Sequence, residues 1–267
     1  MAHRIETDSH GEVAIPASRL WGAQTQRSLE NFAIAADRLP MELVRAVAQV
    51  KASAAMAHRG LGTLDPRIAG AIVKAADEVI AGAHDGEFPL VVWQTGSGTQ
   101  SHMNVNEVLA NRASEILGGE RGKDRRVHPN DHVNLGQSSN DVMPTALHVA
   151  GAIALHGRVV PAVRHLARTI DAKAAAWAGI VKTGRTHWID ATPVRLGSEV
   201  WAWATLLTRA ATRIEAACEG LYPVALGGTA VGTGLNAPQG FAAAAIEHLG
   251  ARTGLPFAAA PDRFAAL

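Results

Sequence analysis

From residue 41 onward, apolar positions recur at helical spacing along most of the chain. Leu43, Val47, Val50 and Ala54 mark one stripe between Met41 and Arg59, and Gly60 supplies a stop. A second helix is expected from Asp65, an N-cap with Pro66 at the first helical position. Its buried stripe is Ile68, Ile72, Val79 and Ile80, and Gly82 to Pro89 ends it. Both helices read as scaffold without chemistry. A third follows the polar stretch after Trp93 and reaches about Leu117, where Gly118 and Gly119 stop it. From Pro144 to about Ile180 the pattern is continuously helical. Leu147, Ala150, Ile153, Val160, Val163, Leu166 and Ile170 form its expected buried face, with a kink at Pro161. A further long helix is expected after Pro193, through Val200, Trp203, Leu207, Ala211, Ile214 and Cys218, with Pro223 beyond its end. Each of these two would extend for about 40 Å. Trp201 and Trp203 read as packing residues. The first forty residues show turn signals and little periodicity, and Trp21 to Arg27 reads as a surface segment pinned by its one large ring. No internal repeat and no convincing series of alternating strands is visible.

Composition narrows the class. The chain has 267 residues, 48% apolar and 18% charged, with a formal net charge of +1. That suits a globular protein of one large domain or two smaller ones, and no charge excess argues for nucleic acid or a membrane surface. Met1 to Pro16 is polar with no secretory apolar region, and no apolar run approaches the roughly 20 residues of a membrane span. A single cysteine, Cys218, excludes an intrachain disulfide and fits a reducing compartment. The expectation is a cytoplasmic helical protein.

Five polar stretches interrupt the helices. In Lys182 to Pro193, His187 is the one side chain that titrates near neutral pH unperturbed, so it is the candidate for moving a proton; Thr186 and Asp190 are equally suited to capping a helix. Val91 to Glu107 places Gly96 and Gly98 among Thr95, Ser97, Thr99 and Ser101, a loop whose amides can approach an anion or form an ordinary turn. Ser101 stands where a dinucleotide fingerprint needs glycine, and no Gly-Lys-Ser/Thr follows. His128 and His132 have the spacing of a metal pair, but Pro129 confines them to a first turn and no third ligand accompanies them, so no metal site is expected. Gln137 to Asp141 packs five hydrogen-bonding side chains before an apolar helix, more than a cap requires. Leu226 to Asn236 is a glycine-rich turn with no strand before it.

Taken in order, these clusters resemble class II fumarate hydratase, of the fumarase/aspartase superfamily. The resemblance is carried by WGAQTQRS (Trp21 to Ser28), WQTGSGTQSHMNVNEVLANRA (Trp93 to Ala113), HPNDHVN (His128 to Asn134), QSSNDVMPTA (Gln137 to Ala146), GRTHWIDATP (Gly184 to Pro193) and LGGTAVGTGLN (Leu226 to Asn236). It implies an all-α fold: an N-terminal, mostly helical domain (residues 1–138) followed by part of a long central helical bundle (residues 139–267). It also implies a homotetramer whose active sites combine three subunits, a small dicarboxylate substrate (fumarate or malate), and no cofactor. Ser97, Gly98 and Thr99 match the first dicarboxylate-binding loop; Ser138, Ser139, Asn140 and Thr186 match further substrate contacts. His187 matches the histidine assigned to proton transfer and water orientation, and His128, Pro129, Asn130 and Asp131 match a second anion site.

His187 favours hydration over the deamination carried out by aspartate ammonia-lyases, which resemble this sequence but typically carry Gln there. Leu135 stands where fumarases usually have Lys, His102 where they usually have Asn, and Trp188-Ile189 replaces a more polar pair. The family's Gly-Ser-Ser-x-Met-Pro-x-Lys-x-Asn loop, which supplies the serine base, does not occur before Leu267. The chain therefore reads as truncated within its central domain and inactive alone. The competing expectations are an aspartase-type lyase and a non-catalytic fragment that binds anions or assembles with a partner.

Overall fold

The computed structural model describes residues 2–8 and 10–267. In chain order it contains β1 (His3–Asp8), β2 (Gly11–Pro16), α1 (Ala23–Asn31), α2 (Met41–Gly60), α3 (Pro66–Ile80) and α4 (Thr99–Ile116). After a π-helical turn at Pro129–Val133 come α5 (Ser139–Ala154), a second π-helical turn at Leu155–Val159, and α6 (Val160–Ala176). Then follow β3 (Val181–Thr186), β4 (Ile189–Arg195), α7 (Leu196–Cys218), β5 (Pro223–Val224), α8 (Phe241–Thr253), β6 (Ala258–Ala259) and α9 (Arg263–Ala266). The all-α class holds. The six strands form three separate two-stranded pieces, two antiparallel and one parallel, which the apolar pattern did not announce.

Packing divides the chain into two compact units, Met1–Ala150 with Tyr222–Leu267, and Gly151–Leu221. These limits differ from the expected boundary after residue 138, because α8 returns to pack against α2.

In the first unit, Asp65 caps α3 as its sequence predicts, its carboxylate accepting from the amides of Arg67 and Ile68 at 2.7 and 3.3 Å. The centre of the unit is α4, buried continuously from Ser101 to Ala113 apart from Arg112. A helix enclosed on every side must satisfy its polar side chains internally. Most of those on α4 do so by holding the loops around it. Asn104 donates to the carbonyl of Glu87 (3.0 Å), and Asn111 donates to that of Leu20 (2.7 Å) while accepting from Gly122 N (3.0 Å). Ser114 accepts from Val127 N at 3.0 Å. Glu107 takes the amides of Gly22, Gln24 and Thr25 and the Thr25 hydroxyl at 2.6 to 3.1 Å, capping α1 from 80-odd residues away. A carboxylate at a helix N-terminus is favoured by the exposed amides and the helix dipole. The Trp21 to Arg27 stretch is accordingly no surface segment: Trp21, Gly22, Ala23 and Thr25 are buried, and it opens α1 against α4.

In the second unit, α6 and α7 meet along small residues at seven-residue spacing. Val160, Ala167 and Ala174 are buried on α6, and Gly197, Ala204, Ala211 and Cys218 on α7. Side chains this small let two backbones approach closely, and a Cβ on Gly197 would collide with Ala174 and Ala178. Arg164 and Glu215 pair across the two helices at 2.7 Å.

Several expected packing residues are instead exposed. Leu147, Ile153 and Leu166 on α5 and α6, and Trp201 and Trp203 on α7, face away from the neighbours present. The alanine and valine positions between them carry the contacts. The helix after Pro193 begins only at Leu196, since Pro193 pairs with Thr183 in the β3–β4 hairpin. The interruption near Pro161 is a π-helical turn just before it, with Pro161 in the first turn of α6. Ser139–Ala176 contains an 18-residue window of mean hydropathy 1.4, long and apolar enough by composition to cross a membrane, although no such run was expected.

Candidate functional site

The Gly/Ser/Thr loop and the Gln137 to Asp141 stretch come together in the first unit. Gly98 has φ +67°, a left-handed conformation that favours glycine, and precedes α4; a Cβ there would also press within 2.8 Å of the Met143 side-chain end on α5. Gln94 staples the loop to the helix, its amide reaching Val91 O and Ser101 Oγ while its oxygen accepts from Ser101 N at 3.0 Å. Thr99 opens α4, and its Oγ1 lies 2.6 Å from Ser139 Oγ at the start of α5. Ser97 and Asn140 are exposed beside this contact, and Gly98, Thr99, Ser138 and Ser139 are half-buried. Two helix N-termini and a set of neutral hydroxyl and amide donors therefore share one region.

The five polar side chains of Gln137 to Asp141 divide their tasks. Ser138 Oγ accepts from Asn140 N (3.3 Å), and Asp141 Oδ1 accepts from Ser138 N (2.9 Å), a reciprocal cap of α5. Asp141 Oδ2 accepts from Gly227 N and Thr229 N, both at 3.0 Å, which ties the glycine-rich turn to the same helix start. Burial raises the Asp141 pKa, opposed by these three amides. Asn140 donates to Ala230 O at 2.7 Å, Ser139 meets Thr99, and Gln137 accepts from the buried Lys51 at 3.0 Å. The surplus over a simple cap is thus accounted for residue by residue.

Thr99 also lines a cavity of about 280 Å³ with Gln100 and Met103 of α4 and Gln24, Arg27 and Asn31 of α1. The Arg27 guanidinium within it is engaged by Asp8 at 2.8 and 3.0 Å and holds that carboxyl below its ordinary range.

A second cavity, of about 230 Å³, is lined by His128, Pro129 and Asn130 together with Arg125, Gln24 and Glu107. His128 caps the π-helical turn, its Nδ1 accepting from Asn130 N and Asp131 N at 3.3 and 3.2 Å. That role needs a lone pair, so the 3.1 Å approach of Nδ1 to Asp131 is not a charged pair. Burial, with Arg125 and His132 nearby, lowers the His128 pKa, against the pull of Asp131. His132 Nδ1 accepts from His128 N at 2.9 Å, and no group of three or more metal-ligating side chains occurs among the described residues. Arg125, read in the sequence only as part of a basic run, brings a guanidinium to this cavity, paired at 3.3 Å with the buried carboxylate of Glu6. Its nearness to His128 in sequence was the available signal.

Thr186 and His187 belong to the second unit. Thr186 and Ile189 pair across a two-residue turn in which both His187 (φ +50°) and Trp188 (φ +64°) are left-handed. Two-residue hairpins favour this twist, but Asn and Gly are the usual occupants. A β-bulge at Gly184, where a Cβ would meet Thr192 O at 2.6 Å, and an exposed Arg185–Asp190 pair at 3.1 Å shape the strands. Thr186, His187 and Asp190 are exposed, so the hairpin presents the imidazole to solvent instead of capping a helix with Thr186 or Asp190.

A family model described as lyase matches residues 11–267. The chain is 57% identical to a class II fumarate hydratase of Chromobacterium violaceum over 99% of its own length, and 56% identical to that of Thermus thermophilus over its full length. It spans 57% and 58% of those relatives' lengths. Among solved structures, a class II fumarase of Schistosoma mansoni superposes with a TM-score of 0.96 at 42% identity, covering 100% of this chain and 59% of that one. A fumarate lyase:delta crystallin of Brucella melitensis gives 0.94 at 41% identity, covering 99% and 58%.

Proposed function

The chain belongs to the lyase family of the class II fumarate hydratases, in the fumarase/aspartase superfamily, and on that premise we propose that it supplies part of an enzyme for the reversible hydration of fumarate to L-malate. The observation that carries the proposal is the 2.6 Å contact of Thr99 with Ser139, which gathers two donor-rich helix starts around one place. Fumarate is a small dianion. Neutral hydroxyl, amide and backbone N–H donors can hold its carboxylates without burying an excess of positive charge.

In this reading Ser97, Gly98, Thr99, Ser138, Ser139 and Asn140 bind substrate carboxylate, and Thr186 adds a further contact. His187 orients the water and carries a proton to or from it. Charge developing on the carboxylate beside the carbanion is met by donors already in place, which is where much of the acceleration would arise. No residue of this chain is assigned as the carbanion-forming base. His128, Pro129, Asn130 and Asp131, with Arg125, form a second anion site apart from the chemistry. The function-level division is residues 1–138 and 139–267, the enzyme is a cytoplasmic homotetramer, and the apolar Ser139–Ala176 helix serves bundle packing, not a membrane.

Co-expression of this chain with the remaining portion of the Chromobacterium relative tests the proposal. Fumarate hydration by the assembled pair is the expected result. Assembly without hydration, persisting after Leu135→Lys and His102→Asn, would overturn it.

A further inference from the structure

Lys51 lies in the middle of α2 with no exposed surface. Among the described residues it makes no ion pair at hydrogen-bonding distance. Its Nζ instead donates to two amide oxygens, Asn134 Oδ1 at 2.8 Å and Gln137 Oε1 at 3.0 Å. An ammonium, and equally a neutral amine, can offer both of these donors, so the arrangement does not depend on the lysine's charge. Its consequence is directional. Because each oxygen faces Nζ, each amide NH2 must face the chain. Gln137 Nε2 donates to Val133 O and Leu135 O, both at 3.1 Å, and Asn134 Nδ2 reaches Gln137 O at 3.4 Å.

The backbone so held runs from the π-helical turn directly into Ser138. His58 holds the same stretch from the other side: its Nε2 meets Leu135 O at 2.8 Å, its Nδ1 meets Thr63 Oγ1 at 2.8 Å, and its ring stacks on Phe241 at 4.5 Å. Gly136 between them is left-handed, at φ +64°. The carboxylate whose charge reaches Lys51, Asp141, has its oxygens committed to the amides of Ser138, Gly227 and Thr229. His102, beside Lys51, is fully buried; neither ring nitrogen reaches hydrogen-bonding geometry, and the polar side chain nearest it is Asn134, the amide that Lys51 already holds. The lysine is therefore held for its two donors and not for a salt bridge.

We propose that Lys51 is the positioning residue of the Ser138–Ser139–Asn140 turn, acting through the side chains of Asn134 and Gln137. It touches no substrate. It sets which way two half-buried amides point, and they set the path of the backbone entering α5. This deepens the reading in which that turn binds a dicarboxylate and rests on it.

Amide hydrogen exchange on the 267-residue chain, with fumarate kinetics on the chain assembled with the remainder of the Chromobacterium relative, separates positioning from mere core filling. Lys51→Met keeps the apolar stem and removes both donors; Lys51→Gln restores an NH2 one bond short. Positioning predicts that Lys51→Met speeds exchange selectively in residues 134–141 and raises the fumarate KM about tenfold with kcat changed less than about threefold. Lys51→Gln should recover part of both losses. Uniform acceleration of exchange through α2, α3 and α4, or a Met variant as good as Gln at the turn, would overturn the proposal. If Lys51→Met does not fold, Gln137→Met, which keeps Lys51 and removes one amide, must reproduce the selective exchange, or the proposal fails. Absence of fumarate turnover in the unsubstituted assembly would instead sink the functional reading, and the exchange comparison would then decide on Lys51 alone.

Discussion

His187 and His128 share a residue type and nothing else of their surroundings. One stands exposed on a hairpin tip; the other spends its Nδ1 lone pair capping a turn at a cavity of its own. In the assembled enzyme, His187→Asn should lower turnover by roughly 10² to 10⁴, the usual cost of losing a general acid–base group. Thr99→Val should act mainly on KM, and His128→Asn should leave turnover nearly intact. Steady-state fumarate kinetics checks all three, and an effect of His128 larger than that of His187 would reverse the assignment. His58 and His102 carry a different consequence. Burial lowers the pKa of both below the ordinary 6.5, with Lys51 adding to the effect at His102. Each therefore takes up its proton at lower pH when folded than when unfolded, and the unfolded chain takes up protons as pH falls through about 6.5. Their contribution to stability is therefore complete above that pH and is lost below it. Thermal denaturation of the chain should show stability falling between about pH 7 and about pH 5, and His102→Asn should flatten that slope. His102 was legible in the sequence only as a departure from the family pattern. Lys51 was not legible at all, since one lysine in an apolar helix normally lies with its stem along the surface and its head in water.

At the scale of elements, legibility followed burial. Asp65 and Pro66 began α3 as expected because capping is local chemistry, read within four residues. The β3–β4 hairpin was hidden because no residue in it is buried, so its strands have no apolar face to alternate with. The family motifs, by contrast, named the gathering of Thr99 and Ser139 without explaining it; the explanation needed the glycine at 98 and the reciprocal cap of α5. The hairpin also stores strain. Trp188 is 99% exposed in a left-handed conformation that costs a non-glycine residue about 1 kcal/mol or more. Trp188→Gly should therefore stabilise the second unit by up to about 1 kcal/mol, less the added entropy of the unfolded chain. A thermal transition of the second unit moving downward would show that Trp188 has contacts worth more than the strain.

For the whole molecule, the exposed apolar side chains decide behaviour in solution. Leu147 on α5, Leu166 on α6 and Trp201, Trp203 and Leu206 on α7 are each about half exposed, on helices whose small residues already carry the close packing. Such surface favours association. The isolated chain should sediment as an oligomer or a broad distribution at micromolar concentration, and a sharp monomer boundary would contradict this.

Asp141 joins the start of α5 to Gly227 and Thr229, which follow it by 86 and 88 positions. On the ribosome that interval is a delay. The α6–α7 pair is nearly contiguous and can close as soon as it has emerged, whereas the turn at Ser138 must wait, with one carboxylate oxygen unpaired, until the glycine-rich segment arrives. A nascent chain arrested where α7 has just cleared the ribosome and Gly227 and Thr229 have not should accordingly protect its α6–α7 amides while Ser138 to Asn140 still exchange freely. The start of α5, where Asp141 meets the glycine-rich turn, would be among the last parts of these 267 residues to be finished in time.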